Sequence, residues 1–126
     1  MIEIQDAIIS VLRTANPTIT FYAYVPEKVD PPYTVVNFPE LDENDTDTET
    51  GFNADVQIES FSRFKGYNQV AIVNKAIYDS LHRVTMSDTD SYCFSTIHQN
   101  FSNIVTDSDG LTRVSVQRFT VIFEPS

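Results

Sequence analysis

Between Asp55 and Ser62 the sequence alternates residue by residue, and this stretch constrains the fold more than any other. Val56, Ile58, Ser60 and Ser62 take one side, while Asp55, Gln57, Glu59 and Phe61 take the other. A period of two with one polar face belongs to a half-buried strand of an antiparallel sheet. The period then changes: Val70, Val73, Ile77, Leu81 and Val84 form a stripe at three- and four-residue steps, which predicts a helix over 67–84. Gly66 permits the turn between the two. A strand face and a helix stripe so close in the chain are both buried if the helix lies on the sheet.

The remaining segments extend the same scheme. Ile4, Ile8, Val11, Leu12 and Ala15 line one face of a helix over 4–15, which Asn16-Pro17 stops because Pro disfavours helix at the residue before it. Residues 18–24 are β-branched and aromatic and read as a strand. Pro26, Pro31 and Pro32 make a stiff connector, and Tyr33 to Phe38 reads as a second strand ended by Pro39. Strands follow over 91–106 and 111–123, joined by Asp107-Ser108-Asp109-Gly110, a strong hairpin signal. In the last strand Val114, Val116, Arg118, Thr120 and Ile122 share one side. Arg113, Ser115, Gln117, Phe119, Val121 and Phe123 share the other. Its end is apolar on both sides and is expected to be covered. The order α-β-β-β-α-β-β predicts a single α+β domain over 1–126, a mostly antiparallel sheet with both helices packed on one face.

Composition narrows the class of chemistry. At 126 residues the chain suits one domain, long enough for one core without staples. Its lone cysteine, Cys93, excludes an internal disulfide, and with two histidines a structural zinc site is not expected. No apolar run reaches the ~18 residues of a membrane span, and Met1-Ile2-Glu3 begins without the basic stretch of a secretory signal. Synthesis in the cytoplasm is therefore expected. Acids outnumber Lys and Arg 18 to 8, giving a net charge of −10, which argues against attraction to nucleic-acid phosphates. Six of the acids are Glu40, Asp42, Glu43, Asp45, Asp47 and Glu49, with no cation among them. Such dense like charge with little to bury predicts an extended, flexible loop over 40–51.

Catalytic patterns are missing from the sequence. Three widely separated glycines, Gly51, Gly66 and Gly110, cannot write a phosphate loop or a dinucleotide fingerprint. His82 suits the end of the second helix, where it complements the dipole, and His98 reads as a surface or interface residue. Cys93 reads as a small core hydrophobe, and nothing at local spacing supports pairing it with either histidine. The acids from Asp45 start like a calcium loop, but Thr50 stands where Gly is required and Val56 where Glu is required. No cofactor, metal or catalytic residue is expected. Arg63 and Lys65, flanking Phe64, read better as half of a subunit contact than as a nucleic-acid patch.

Three stretches in order carry a resemblance. They are Pro31-Pro32-Tyr33-Thr34-Val35-Val36; the run from Val56 through Ser60-Phe61-Ser62-Arg63 and Gly66 to Ile77-Tyr78-Asp79-Ser80-Leu81; and Asp107-Ser108-Asp109-Gly110-Leu111-Thr112-Arg113 with the strand after it. Together they resemble the tail-terminator (tail-completion) proteins of long-tailed bacteriophages and gene-transfer agents, over nearly the whole chain. The resemblance implies a structural virion protein and not an enzyme. Such proteins cap the tail tube as a ring, commonly of six subunits, end its polymerisation, and present a surface to head-side neck or connector proteins. DNA passes through the ring without specific binding. The acids at 40, 42, 43, 45, 47 and 49 are then expected at the lumen or against a neighbouring ring, and Arg63, Lys65, Asp79 and Asp88 at subunit contacts. The other reading is a different neck ring: a head-closure, adaptor or sheath-associated protein.

Overall fold

The computed structural model describes residues 2–23, 29–46, 49–86, 92–95 and 97–125, with 38–46 and 49–53 described through their backbone pairing. Its elements are α1 (Ile2–Ala15), β1 (Phe21–Tyr22), β2 (Tyr33–Thr46), β3 (Glu49–Ser62), α2 (Asn68–Leu81), β4 (Tyr92–Phe94), β5 (His98–Thr106) and β6 (Arg113–Pro125). They form one mostly antiparallel, curled sheet of six strands in the order β1-β2-β3-β6-β4, with β5 also on β6. β1 alone runs parallel to its neighbour, pairing Phe21 and Tyr22 with Thr34 and Val35.

The alternation in β3 is realised as predicted. Ala54, Val56, Ile58, Ser60 and Ser62 are buried, and Asp55, Gln57, Glu59 and Phe61 are only partly covered. The inner side of β6 joins them through Phe119, Val121 and Phe123, and β2 contributes Val36. Onto this floor α1 sets Ile4, Ile8, Ile9 and Leu12, and α2 sets Ile77 and Leu81. In α1, Ile9 takes the place in the core that the sequence pattern gives to Ala15, which is exposed.

Four boundaries differ from the sequence reading. The first strand is short, pairing only at Phe21 and Tyr22, and Tyr24 and Pro26 lie outside the described residues. Helix α2 stops at Leu81, three residues early, because His82 turns extended (ψ 122°) and Arg83 takes φ 62°. That turn lets the Arg83 N–H donate to the Ile97 carbonyl at 2.7 Å and the Ile97 N–H to the Val84 carbonyl at 3.0 Å. The same detour, with Ile97 fully buried, divides the strand expected over 91–106 into β4 and β5, which follow one another along one edge of β6. At the far end of β6, Phe123 is buried but Ile122 stays 40% exposed, so the outer side is not covered there.

The fourth difference is the largest. Pro39 does not end β2; the strand continues to Thr46 and pairs back on β3 down to Thr46 opposite Glu49. The ladder shifts register between Asn37 and Glu40, around Pro39. Pro has no N–H to give a ladder, and an irregularity is where strands tolerate it. The acidic segment is thus a β-hairpin rather than an extended loop. Backbone hydrogen bonding is indifferent to side-chain charge, so the ladder of 54–62 simply propagates outward.

Candidate assembly surfaces

At one end of the sheet two turns interlock. In the turn after β5, the Asp107 N–H donates to the Thr112 carbonyl (2.8 Å) and the Gly110 N–H to the Asp107 carbonyl (2.9 Å), with Gly110 at φ +73°. Asp109 is the hub. Its Oδ1 accepts the N–H groups of Leu111 and Thr112, both at 2.8 Å, and its Oδ2 accepts the Thr112 hydroxyl at 2.7 Å. Hydrogen bonds from the Thr112 N–H, the Thr112 hydroxyl and the Leu111 N–H, with a smaller contribution from Arg63, hold its pKa down at about 2. The turn before α2 docks beside it. Tyr67 Oη meets Thr106 Oγ1 at 2.8 Å, the Arg113 guanidinium lies 5.2 Å from the centre of the Tyr67 ring, and Arg63 Nε donates to Thr112 Oγ1 at 3.4 Å. Phe64, Tyr67 and Leu111 are 55%, 50% and 67% exposed in this cluster, beside the exposed Arg63 and Lys65.

Beneath it runs a polar seam inside the core. Ser60, Ser62, Thr34, Ser115 and Gln117 are buried. Thr34 Oγ1 donates to Ser60 Oγ (3.1 Å), Ser62 bonds Gln69, and Asn74 Nδ2 donates to Ser115 Oγ (2.6 Å) and Ser102 Oγ (3.1 Å). Gln117 Nε2 donates to the Asn74 carbonyl at 3.0 Å. Sequence alternation put Ser60 and Ser62 on the side of Val56 and Ile58, and Ser115 and Gln117 on the side of Phe119; the bonds to α2 depend on which helix turn meets which strand. A cleft of about 160 Å³ opens between this seam and residues 18–20, lined by Tyr33, Phe61 and Gln69 among others. Among the described residues its lining carries no acid, cation, His or Cys, and the Tyr33 phenol is the titratable group there.

The opposite end of the sheet is the acidic hairpin. The last residue of β3 with a partner on β6 is Phe52, opposite Phe123; beyond it Gly51, Thr50 and Glu49 have β2 as their described partner. The hairpin therefore continues past the last β3–β6 pair by roughly 10 Å at ~3.3 Å per residue. Glu40, Asp42, Glu43 and Asp45 lie on β2 and Glu49 on β3. Opposite the four on β2 stand Asp55, Asn53, Phe52 and Thr50, so the ladder places no cation against any of them.

The sheet side away from the helices is a third surface. Thr120 Oγ1 donates to Asp55 Oδ1 at 3.0 Å and accepts from Asn100 Nδ2 at 2.6 Å. Arg118 Nε donates to Gln57 Oε1 at 3.0 Å, and its guanidinium lies 5.4 Å from the centre of the Phe101 ring.

The expected contact residues fall in different places. Arg63 and Lys65 join the interlocked turns, whereas Asp79 sits in the last turn of α2, paired with Lys75 at 3.0 Å. Asp47 and Asp88 lie outside the described residues. Tyr67, Leu111 and Arg113 complete the cluster around Arg63 and were not legible as its members, because the pairing of β5 with β6 brings them there.

The histidines have neighbours that fit structural roles. The His82 ring stacks on Tyr78 at 4.5 Å, meets His98 edge-on at 6.0 Å, and accepts the Gln99 N–H at Nδ1 (3.1 Å). Cys93 pairs opposite Glu124 and His98 opposite Thr120 of the same strand, four residues apart and so about 13 Å along it, too far for a dyad. Among the described residues no three His, Cys, Asp or Glu side chains stand together to hold a metal ion, and no helix is long and apolar enough to cross a membrane.

Comparison with known proteins agrees with this architecture. None of the curated proteins matches the chain. Among solved structures, a chain from the virion of a native gene transfer agent particle superposes with a TM-score of 0.80 at 14% identity, over 95% of this chain and 93% of that one. At that identity the likeness is one of fold. The profile of the tail completion protein gp17 family matches residues 5–124, from the first turns of α1 to the end of β6. The chain belongs to the tail completion protein gp17 family and is a structural protein of the virion tail.

Proposed function

We propose that the protein closes the tail tube as a homo-oligomeric ring, ends tube polymerisation and gives the tail its surface for joining the head. The observation that carries this reading is the extent of the family match, which takes in every element of the sheet and both helices. The ring is physically reasonable. A globule of 126 residues has a radius of gyration near ~14 Å, and six such bodies side by side enclose an opening about 30 Å wide, enough for duplex DNA. A ring arises from a head-to-tail contact whose rotation closes. The tail tube protein, a head-side neck protein and passing DNA are its partners in this reading, without metal, cofactor or catalysis.

The acidic hairpin either lines the opening or reaches a neighbouring ring. Carboxylates repel phosphates over a range near ~8 Å at physiological salt, so a channel of this sign lets DNA pass without holding it. Replacing Glu40, Asp42, Glu43, Asp45, Asp47 and Glu49 by Asn or Gln should reduce infectivity or alter tail length. Normal infectivity with tails of normal length would reject that role. Arg63 and Lys65 contribute to the contact between subunits, and of the acids expected there Asp79 is already paired with Lys75 at 3.0 Å.

A further inference from the structure

We infer that the cluster of Arg63, Lys65 and Arg113 with Phe64, Tyr67 and Leu111 docks the acidic hairpin of a second copy of this chain. The inference rests on the ring reading and places the hairpin in the contact between adjacent subunits, instead of free in the opening or against a neighbouring ring. The cluster gathers three of the eight cations of an otherwise acidic chain, around side chains that are half or more exposed. Aromatic residues and Arg in such a setting are the usual anchors of protein interfaces.

Among the described residues the nearby acids form no ion pair with Arg63, Lys65 or Arg113, although Arg63 acts on Asp109 through space. Asp109 spends both carboxylate oxygens on Leu111 and Thr112, and Asp107 Oδ1 accepts the Ser108 N–H at 2.7 Å. The hairpin has the complementary defect: five described acids and no cation opposite the four on β2. Asp79, by contrast, already has Lys75.

The hairpin cannot reach the cluster of its own chain. Both are attached to β3, the hairpin at Glu49 and the cluster just beyond Ser62, and thirteen strand steps hold them about 43 Å apart. Contact therefore has to come from another copy. It joins two different surfaces, so it repeats head-to-tail, as a ring requires.

Three variants test this: Arg63→Glu with Lys65→Glu, then Asp42→Lys with Glu43→Lys and Asp45→Lys, then all five together. Ring formation is followed by analytical ultracentrifugation and by electron microscopy on assembled tail tubes, with circular dichroism confirming the fold. Each partial reversal should weaken assembly by about tenfold or more, and the combined variant, in which both surfaces change sign, should restore it. Lowered salt should strengthen assembly of the wild type and of the combined variant alike. Rings that form undiminished in both partial variants would overturn the docking and leave the ring reading intact. Loss of DNA passage with unimpaired rings would overturn it too, by assigning the cluster to DNA. Wild-type protein that forms no ring even on tubes would overturn both.

Discussion

The two ends of β3 share one backbone ladder and almost nothing else. Toward Ser62 the strand lies between β2 and β6, under α2, with Ser60 and Ser62 buried and bonded. Toward Glu49 it has β2 as its described partner, and that stretch of β2 carries Glu40, Asp42, Glu43 and Asp45. The first end is held by side chains as well as by main-chain pairing; at the second, the pairing of the two strands is what is described. A two-stranded ribbon is marginal by itself, so the hairpin borrows its stability from the sheet that it extends. Stability should therefore reside in the covered half, and assembly in the hairpin and in the exposed turns beyond Ser62.

The sharpest test of that division is the core beside the covered half. Phe119 is fully buried on β6 opposite Val56, and Phe119→Ala should cost about 3–5 kcal/mol in chemical unfolding. Neutralising the hairpin acids should leave the unfolding midpoint almost unchanged, and a comparable loss there would show that the hairpin carries stability as well. A smaller effect belongs to the polar seam. Asn74→Ala removes the donor to Ser115 and Ser102 and should cost about 1–3 kcal/mol, because it strands the buried Ser115 oxygen.

The smallest effect lies at the exposed turn and is best read against pH. Asp109 has a folded pKa of about 2 against an ordinary value of 3.8, so its ionised form favours the folded state. That contribution is complete above about pH 4 and is lost as pH falls through about 2. Asp109→Asn should lower the melting temperature at pH 7, and the gap to the wild type should narrow between pH 4 and pH 2. A gap that stays constant across that range would show that the carboxylate charge does not hold the turn.

Much of the architecture was legible because local period reports burial. The two-residue alternation through Val56 and Ile58, the helical stripe through Val70 and Ile77, and the Asp-Ser-Asp-Gly turn all follow from side chains within a few residues of one another. The division of 91–106 was not legible, since it depends on Ile97 meeting Val84 and Arg83 across the chain. Nor was the cluster around Arg63, whose members come from two turns about forty residues apart.

The acidic stretch separates the two kinds of knowledge most clearly. Sequence by itself determined its charge, its isolation from cations along the chain, and its poverty in core residues. Only the tertiary structure decided that it is a hairpin, because strand pairing is set by the ladder already anchored at Ala54 and Val56 against β6. The distance from its tip to the basic turns was also a tertiary matter. That distance is the length of one strand, and it turns a charge imbalance within one chain into an attraction available between two.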